Sequence, residues 1–103
     1  MMNNVMLVGK LSIITEIENG IIISITVPRN YKNEKGIYEN DFIDCYLYGN
    51  IADRTKEYCK IGDTMGIKGK IKTEFLKGEK IMQIIVERIS FLSSNPNLKK
   101  EDE

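Results

Sequence analysis

What limits this chain most is its punctuation: five strand-like segments are separated by turn residues, and helical periodicity turns up in one short stretch. Residues 5–12 are mostly apolar with Gly9 inside them, which predicts a bulge or a tight bend. Asn19-Gly20 lies between apolar flanks and predicts a hairpin turn. Residues 21–27 are rich in β-branched side chains, and Pro28 weakens ladder pairing after them. Residues 29–40 hold no periodic apolar set and read as a long exposed loop, or as a hairpin tip turning at Lys35-Gly36. Residues 41–48, 64–75 and 80–92 return to strand character, the last two joined by a turn at Lys77-Gly78-Glu79. The helical stretch follows Gly49. Asn50 is its expected cap, Asp53 sits in the expected first turn, and Gly62 is the expected left-handed stop. Ile51, Thr55, Tyr58 and Cys59 share one face at helical spacing.

The resulting order, β-β-β-α-β-β, predicts an all-β fold with one short helix. It is the element order of the OB-fold, a five-stranded Greek-key barrel whose sheet face and loops bind oligonucleotides. The chain has 103 residues, enough for one domain, expected over 1–93, with 94–103 as a flexible polar and acidic tail. A domain of this size buries little surface, which favours oligomerisation.

Composition excludes several classes of chemistry. There is no histidine, so Ser-His-Asp and Cys-His catalysis are out. Two cysteines, Cys45 and Cys59, are too few for a structural zinc site and read as small buried hydrophobes. No glycine-rich loop precedes a helix, and Asp41, Asp44, Asp53 and Asp63 form no metal motif. No cofactor, no metal and no enzymatic activity are expected. No apolar run is long enough to cross a bilayer, and Met1-Met2-Asn3-Asn4 does not look like a secretory signal, so the cytoplasm is the expected location. The net charge is +0, from 15 basic and 15 acidic residues. A nucleic-acid binder of zero net charge must gather its cations on one face.

Strand alternation shows where that face is expected. Phe42, Asp44, Tyr46 and Tyr48 fall on one side of the third strand, and Ile43, Cys45 and Leu47 on the core side. In the fourth strand Lys68, Lys70 and Lys72 alternate with Ile67, Gly69 and Ile71, so the lysines line one face while the isoleucines turn inward. Interleaved rings and cations suit sequence-tolerant binding of single strands, because bases stack on rings and phosphates are neutralised by lysine. The 29–40 segment adds Arg29, Tyr31 and Lys32, and Phe75 lies beside the last turn with Lys77 and Lys80. Structural readings compete: such rings also cover cores and oligomer interfaces, and lysines also protect exposed strands.

These residues resemble a known family. Asn3-Asn4-Val5-Met6-Leu7-Val8-Gly9-Lys10-Leu11 is similar to the opening of bacterial single-stranded DNA-binding proteins. Asp41-Phe42-Ile43-Asp44-Cys45, Tyr48-Gly49, Ala52, Tyr58, Lys60-Ile61-Gly62-Asp63 and Ile67-Lys68-Gly69-Lys70-Ile71-Lys72-Thr73 follow that family in order and spacing. The resemblance covers nearly all of residues 3–93. It implies an OB-fold homotetramer that coats single-stranded DNA in replication, repair or recombination. It also implies stacking on Tyr31, Phe42 and Tyr48, with Phe75 the nearest ring to a fourth position; the residues themselves make Lys10, Arg29, Lys32, Lys68, Lys70 and Lys72 the cations expected to take the phosphates. The chain departs from the family in four respects: a shortened connection around residues 12–20, Asp44 on the binding face, no tryptophan, and no long linker with an acidic tip after residue 93. The last of these implies a short form, as from a phage or another mobile element, and puts recruitment of replication or repair proteins in question. Two other readings remain open: an OB module that binds proteins, such as a primosome accessory subunit, and an RNA-binding OB protein.

Overall fold

The computed structural model describes residues 1–93; the expected tail, 94–103, lies outside the described residues. Its elements are β1 (Val5–Ile17), β2 (Gly20–Lys32), β3 (Tyr38–Tyr48), α1 (Gly49–Tyr58), β4 (Thr64–Leu76) and β5 (Glu79–Ser93). The strands close in the order β1-β2-β3-β5-β4. This is the OB barrel. Every neighbouring pair is antiparallel except β3 and β5, which run parallel and pair only at Cys45–Ile84 and Tyr46–Ile85.

The core is aliphatic. Leu11, Ile21, Ile23, Ile25, Leu47 and Met65 are fully enclosed, with Cys45 among them. Ile67 is enclosed as expected, but Ile71 is 39% exposed, because β4 by then has run past the barrel into the arm it forms with β5. Cys45 and Cys59 are free buried thiols. Burial, aided by Asp44, pushes the Cys45 thiol up to about 12; burial, aided by Asp63, pushes Cys59 up to about 11. Both therefore stay protonated at neutral pH and behave as small apolar groups.

Strands run longer than their apolar segments suggest. β1 continues through Ile17 because an extra residue, Ser12, is inserted between Leu11–Ile25 and Ile13–Ser24. This bulge switches the inward positions from Leu7, Gly9 and Leu11 to Ile14, and the Ser12 hydroxyl donates to the Ser24 carbonyl at 2.8 Å. The bulge is thus at Ser12 and not at Gly9. Gly9 instead allows the Thr26 carbonyl and the Val27 side chain to pack closely against β1. The β1–β2 turn is Glu18-Asn19, one residue earlier than expected, with Gly20 already paired to Tyr48. A Cβ at Gly20 would run into the Leu47 carbonyl, so the glycine is there for close approach. Of the two expectations for residues 29–40, the hairpin holds: β2 and β3 continue to Lys32–Tyr38 around a tip at 33–37.

The helix is shorter than expected. Its cap position is Tyr48, with no side-chain capping bond, so Asn50 does not cap; no acidic residue lies in the first turn, so Asp53 comes too late. Gly49, at φ +64°, makes the corner from strand to helix. The buried side is Ala52 and Thr55, continued by Cys59, while Tyr58 points out. The helix ends at Tyr58, four residues before Gly62, where Cys59 turns extended. The Asp63 carboxylate then accepts from the Lys60 amide at 2.9 Å, and Gly62 and Asp63 bond to the Leu11 backbone instead.

Gly20→Ala is expected to cost about 1–3 kcal/mol, since the Leu47 carbonyl belongs to a paired strand and cannot move aside alone. Urea unfolding followed by circular dichroism checks this; an unchanged midpoint would show that β2 can shift away from β3.

Candidate nucleic-acid interface

The outer wall of the barrel is organised by register. Lys10 on β1 pairs with Thr26 on β2, and Thr26 pairs with Phe42 on β3, so cation, hydroxyl and ring form one row across three strands. A second row crosses the parallel junction: Lys70 pairs with Ile85, and Ile85 with Tyr46. Phe42 is 69% exposed and Tyr48 41%, so both rings are open to a flat ligand. Between β3 and the β4–β5 arm the strands diverge, leaving an open cleft lined by Phe42, Asp44 and Tyr46 on one side and Ile71, Ile81 and Met82 on the other.

The expected site residues are not all brought together. Tyr31 is 61% exposed in the irregular end of β2, where three residues oppose one on β3, and it stands outside the Phe42 row. Phe75 is 73% exposed near the tip of the arm, and alternation puts it on the side of Ile71 and Thr73, opposite Lys70 and Lys72. The tip is a tight two-residue turn with Lys77 at φ 52° and Gly78 at φ 82°, the primed geometry that matches strand twist. Lys68 lies between Met6 and Arg88, against an apolar wall with Val8 and Leu92.

Several of the cations already have partners. Arg29 donates to Asp41 at 2.9 Å and lies 3.8 Å from Glu39. The hydrogen bond and charge of Asp41 hold the guanidinium above its ordinary value, and the bond from Arg29 holds the Asp41 carboxyl below its own. Lys72 pairs with Glu74 at 2.9 Å and is raised by that bond and charge, with a smaller effect from Tyr48. Lys32 stands over the Tyr38 ring, 5.6 Å from its centroid. Among the described residues, Lys10, Lys68 and Lys70 of the expected set have no ion pair, and Lys32 has only its ring contact. No three His, Cys, Asp or Glu side chains converge among the described residues.

Three contributors were not singled out from sequence. The Asn3 side chain accepts from the Ile71 amide at 2.9 Å and donates to the Ile71 carbonyl at 2.7 Å, acting as an extra rung that fixes β4 between Lys70 and Lys72. Asn33 accepts from the Lys35 and Ile37 amides and shapes the β2–β3 tip, an asparagine role legible in the Asn-x-Lys-Gly run. Arg88 joins the outer face because Glu87 is an extra residue on β5 where Lys68–Arg88 is followed by Gly69–Val86; this phase change has no signal in the sequence.

A barrel of this order, with rings and lysines in register on its outer wall, matches one family description over residues 2–92: single-strand binding protein family. The chain belongs to that family. Among relatives it is 27% identical to single-stranded DNA-binding protein B of Bacillus subtilis over 99% of this chain and 100% of the other. It is 32% identical to single-stranded DNA-binding protein 3 of Streptococcus agalactiae, over 91% of this chain and 76% of that protein. Among solved structures, a Plasmodium falciparum SSB complex with ssDNA superposes with a TM-score of 0.70 at 19% identity, covering 90% of this chain and 96% of the other, which supports the fold.

The Asp41 carboxyl is expected to titrate below its ordinary value of 3.8. The clasp with Arg29 is intact above that value and is lost as pH falls through the lowered one. Carboxyl NMR titration of the protein and of Arg29→Ala checks this; the shift should vanish in the variant, and an equal value in both would detach Asp41 from Arg29.

Proposed function

We propose that this chain binds single-stranded DNA with little regard to sequence, in DNA replication, repair or recombination, and catalyses no reaction. The observation that carries the reading is the row Lys10–Thr26–Phe42, with an exposed ring two strands from a cation that has no ion pair among the described residues, in a chain of this family. A base stacks on Phe42 or Tyr48 at about 1–3 kcal/mol each. Lys10, Lys68 and Lys70 take the phosphates directly. Lys72, Arg29 and Lys32 contribute once phosphate replaces Glu74, Asp41 and Glu39, or the Tyr38 ring. Tyr31 and Phe75 extend the stacking surface as the ends of two projecting hairpins.

The proposal includes assembly as a homotetramer. In its favour, Met6 is 79% and Val8 56% exposed on a wall shared with Leu92. Before Lys10, β1 pairs only with β4, so the segment Val5–Val8 presents an open edge. A cytoplasmic location and contacts with replication or repair proteins belong to the same reading. No helix among the described residues is long and apolar enough to cross a membrane.

Fluorescence anisotropy of a labelled oligo-dT of about 35 nucleotides, several OB sites long, tests the binding. Tight binding that weakens with salt and resists duplex competitor is expected. Phe42→Ala and Tyr48→Ala should each lose about 1–3 kcal/mol, and Lys70→Gln should flatten the log–log salt slope by about 0.7. No binding at micromolar protein and low salt would favour the protein-binding module instead. For assembly, Met6→Glu should convert a tetramer to smaller species in analytical ultracentrifugation; a wild-type monomer would overturn the tetramer.

A further inference from the structure

We infer that Asp44 gives this face a base preference, favouring bases that carry an exocyclic amino group over thymine. The inference rests on the single-strand reading above and concerns which bases the same face accepts. Asp44 lies between Phe42 and Tyr46 on the outer side of β3, in register with Ser24. Its side chain is exposed and forms part of the cleft wall, the one carboxylate among the cleft's lining residues. Among the described residues it has no ion pair, and its carboxylate accepts no hydrogen bond from another side chain or amide. It is a negative charge without an internal counterion, set into a stacking surface.

Its chemistry follows from that placement. A carboxylate only accepts hydrogen bonds at neutral pH, and it repels phosphate. A single strand crossing here therefore turns its bases, and not its backbone, toward β3. Phe42 and Asp44 are two residues apart, about 7 Å along the strand, so a base stacked on the ring brings its edge to the carboxylate. In an unpaired strand that edge is the Watson–Crick edge. Cytosine offers its N4 amino group to such an acceptor, and adenine and guanine offer amino groups of their own. Thymine meets the carboxylate with O2 and O4, two acceptors flanking a single N–H. Aromatic stacking is indifferent to base identity, so the carboxylate supplies the discrimination.

The test compares labelled oligo-dC and oligo-dT of about 35 nucleotides by anisotropy at neutral pH, using wild type, Asp44→Asn and Asp44→Ala. Pyrimidines are chosen because both stack weakly with themselves. The ratio of dC to dT affinity is expected to be about three- to tenfold higher in wild type than in either variant, with Asp44→Asn binding oligo-dT more tightly as repulsion is removed. The same ratio in all three proteins overturns the inference and leaves single-strand binding standing. Failure of wild type to bind either oligomer overturns the single-strand reading itself, and this inference with it.

Discussion

Two residue pairs keep the barrel shut. Among the described residues Cys45–Ile84 and Tyr46–Ile85 are the whole of the β3–β5 ladder, yet with the β1–β4 ladder they are the strand pairing that joins the β1-β2-β3 meander to the β4–β5 hairpin. Cys45 belongs to the enclosed core and Tyr46 to the outer face, so the junction serves both sides of the wall. Because the ladder is so short, β3 and β5 part immediately beyond it, each committed to its antiparallel partner. The cleft is the direct result: it lies where the barrel stops being closed, with the Phe42 row on one bank and the arm on the other.

Zero net charge is compatible with this surface because the charges are unevenly placed, with carboxylates set against Arg29 and Lys72 on the hairpins and not against the lysines of the wall. Glu39 and Asp41 hold Arg29, and Glu74 holds Lys72. These pairs are exposed, so they add little to stability. Their effect is to hold the charges of Arg29 and Lys72 against carboxylates until a stronger anion competes. Lys10, Lys68 and Lys70 on the barrel wall have no ion pair among the described residues. The outer surface thus divides into a wall of lysines without ion pairs among the described residues and two hairpins on which Arg29 and Lys72 are held by carboxylates.

Much of this was legible in the residues. Alternation in 41–48 sorted Phe42, Asp44, Tyr46 and Tyr48 from Cys45 and Leu47, because that strand contains no bulge and so keeps its period of two. The lysines of β4 were legible for the same reason. The failures cluster where an extra residue or a long-range backbone bond intervenes. Ser12 and Glu87 shift the phase of β1 and β5, and nothing local announces them. The sequence predicts too late a helix end because Gly62 does have the positive φ of a cap; its amide, however, bonds to Leu11 in β1, a partner 51 positions away that local periodicity does not reach. The Arg29–Asp41 pair is not legible in the sequence because it crosses from β2 to β3 and exists only once that hairpin forms, whereas Lys72 and Glu74 share a face of β4 by alternation alone.

The pairing of β1 with β4 also sets a timetable. Val5 faces Gly69, and the Asn3 side chain reaches Ile71 across 68 positions, so the first strand is completed by nearly the last. Loop-closure entropy must be met before those contacts return anything, which places a chain dominated by such pairings among the slower small folders, in milliseconds to seconds. During synthesis, β1 leaves the ribosome well before β4 and waits with the Met6–Val8 edge bare. The β2 and β3 strands can shelter its second half meanwhile, since residues 10–17 pair within a local hairpin. The first half has no such cover until β4 arrives, and in that interval a neighbouring chain could pair with it instead.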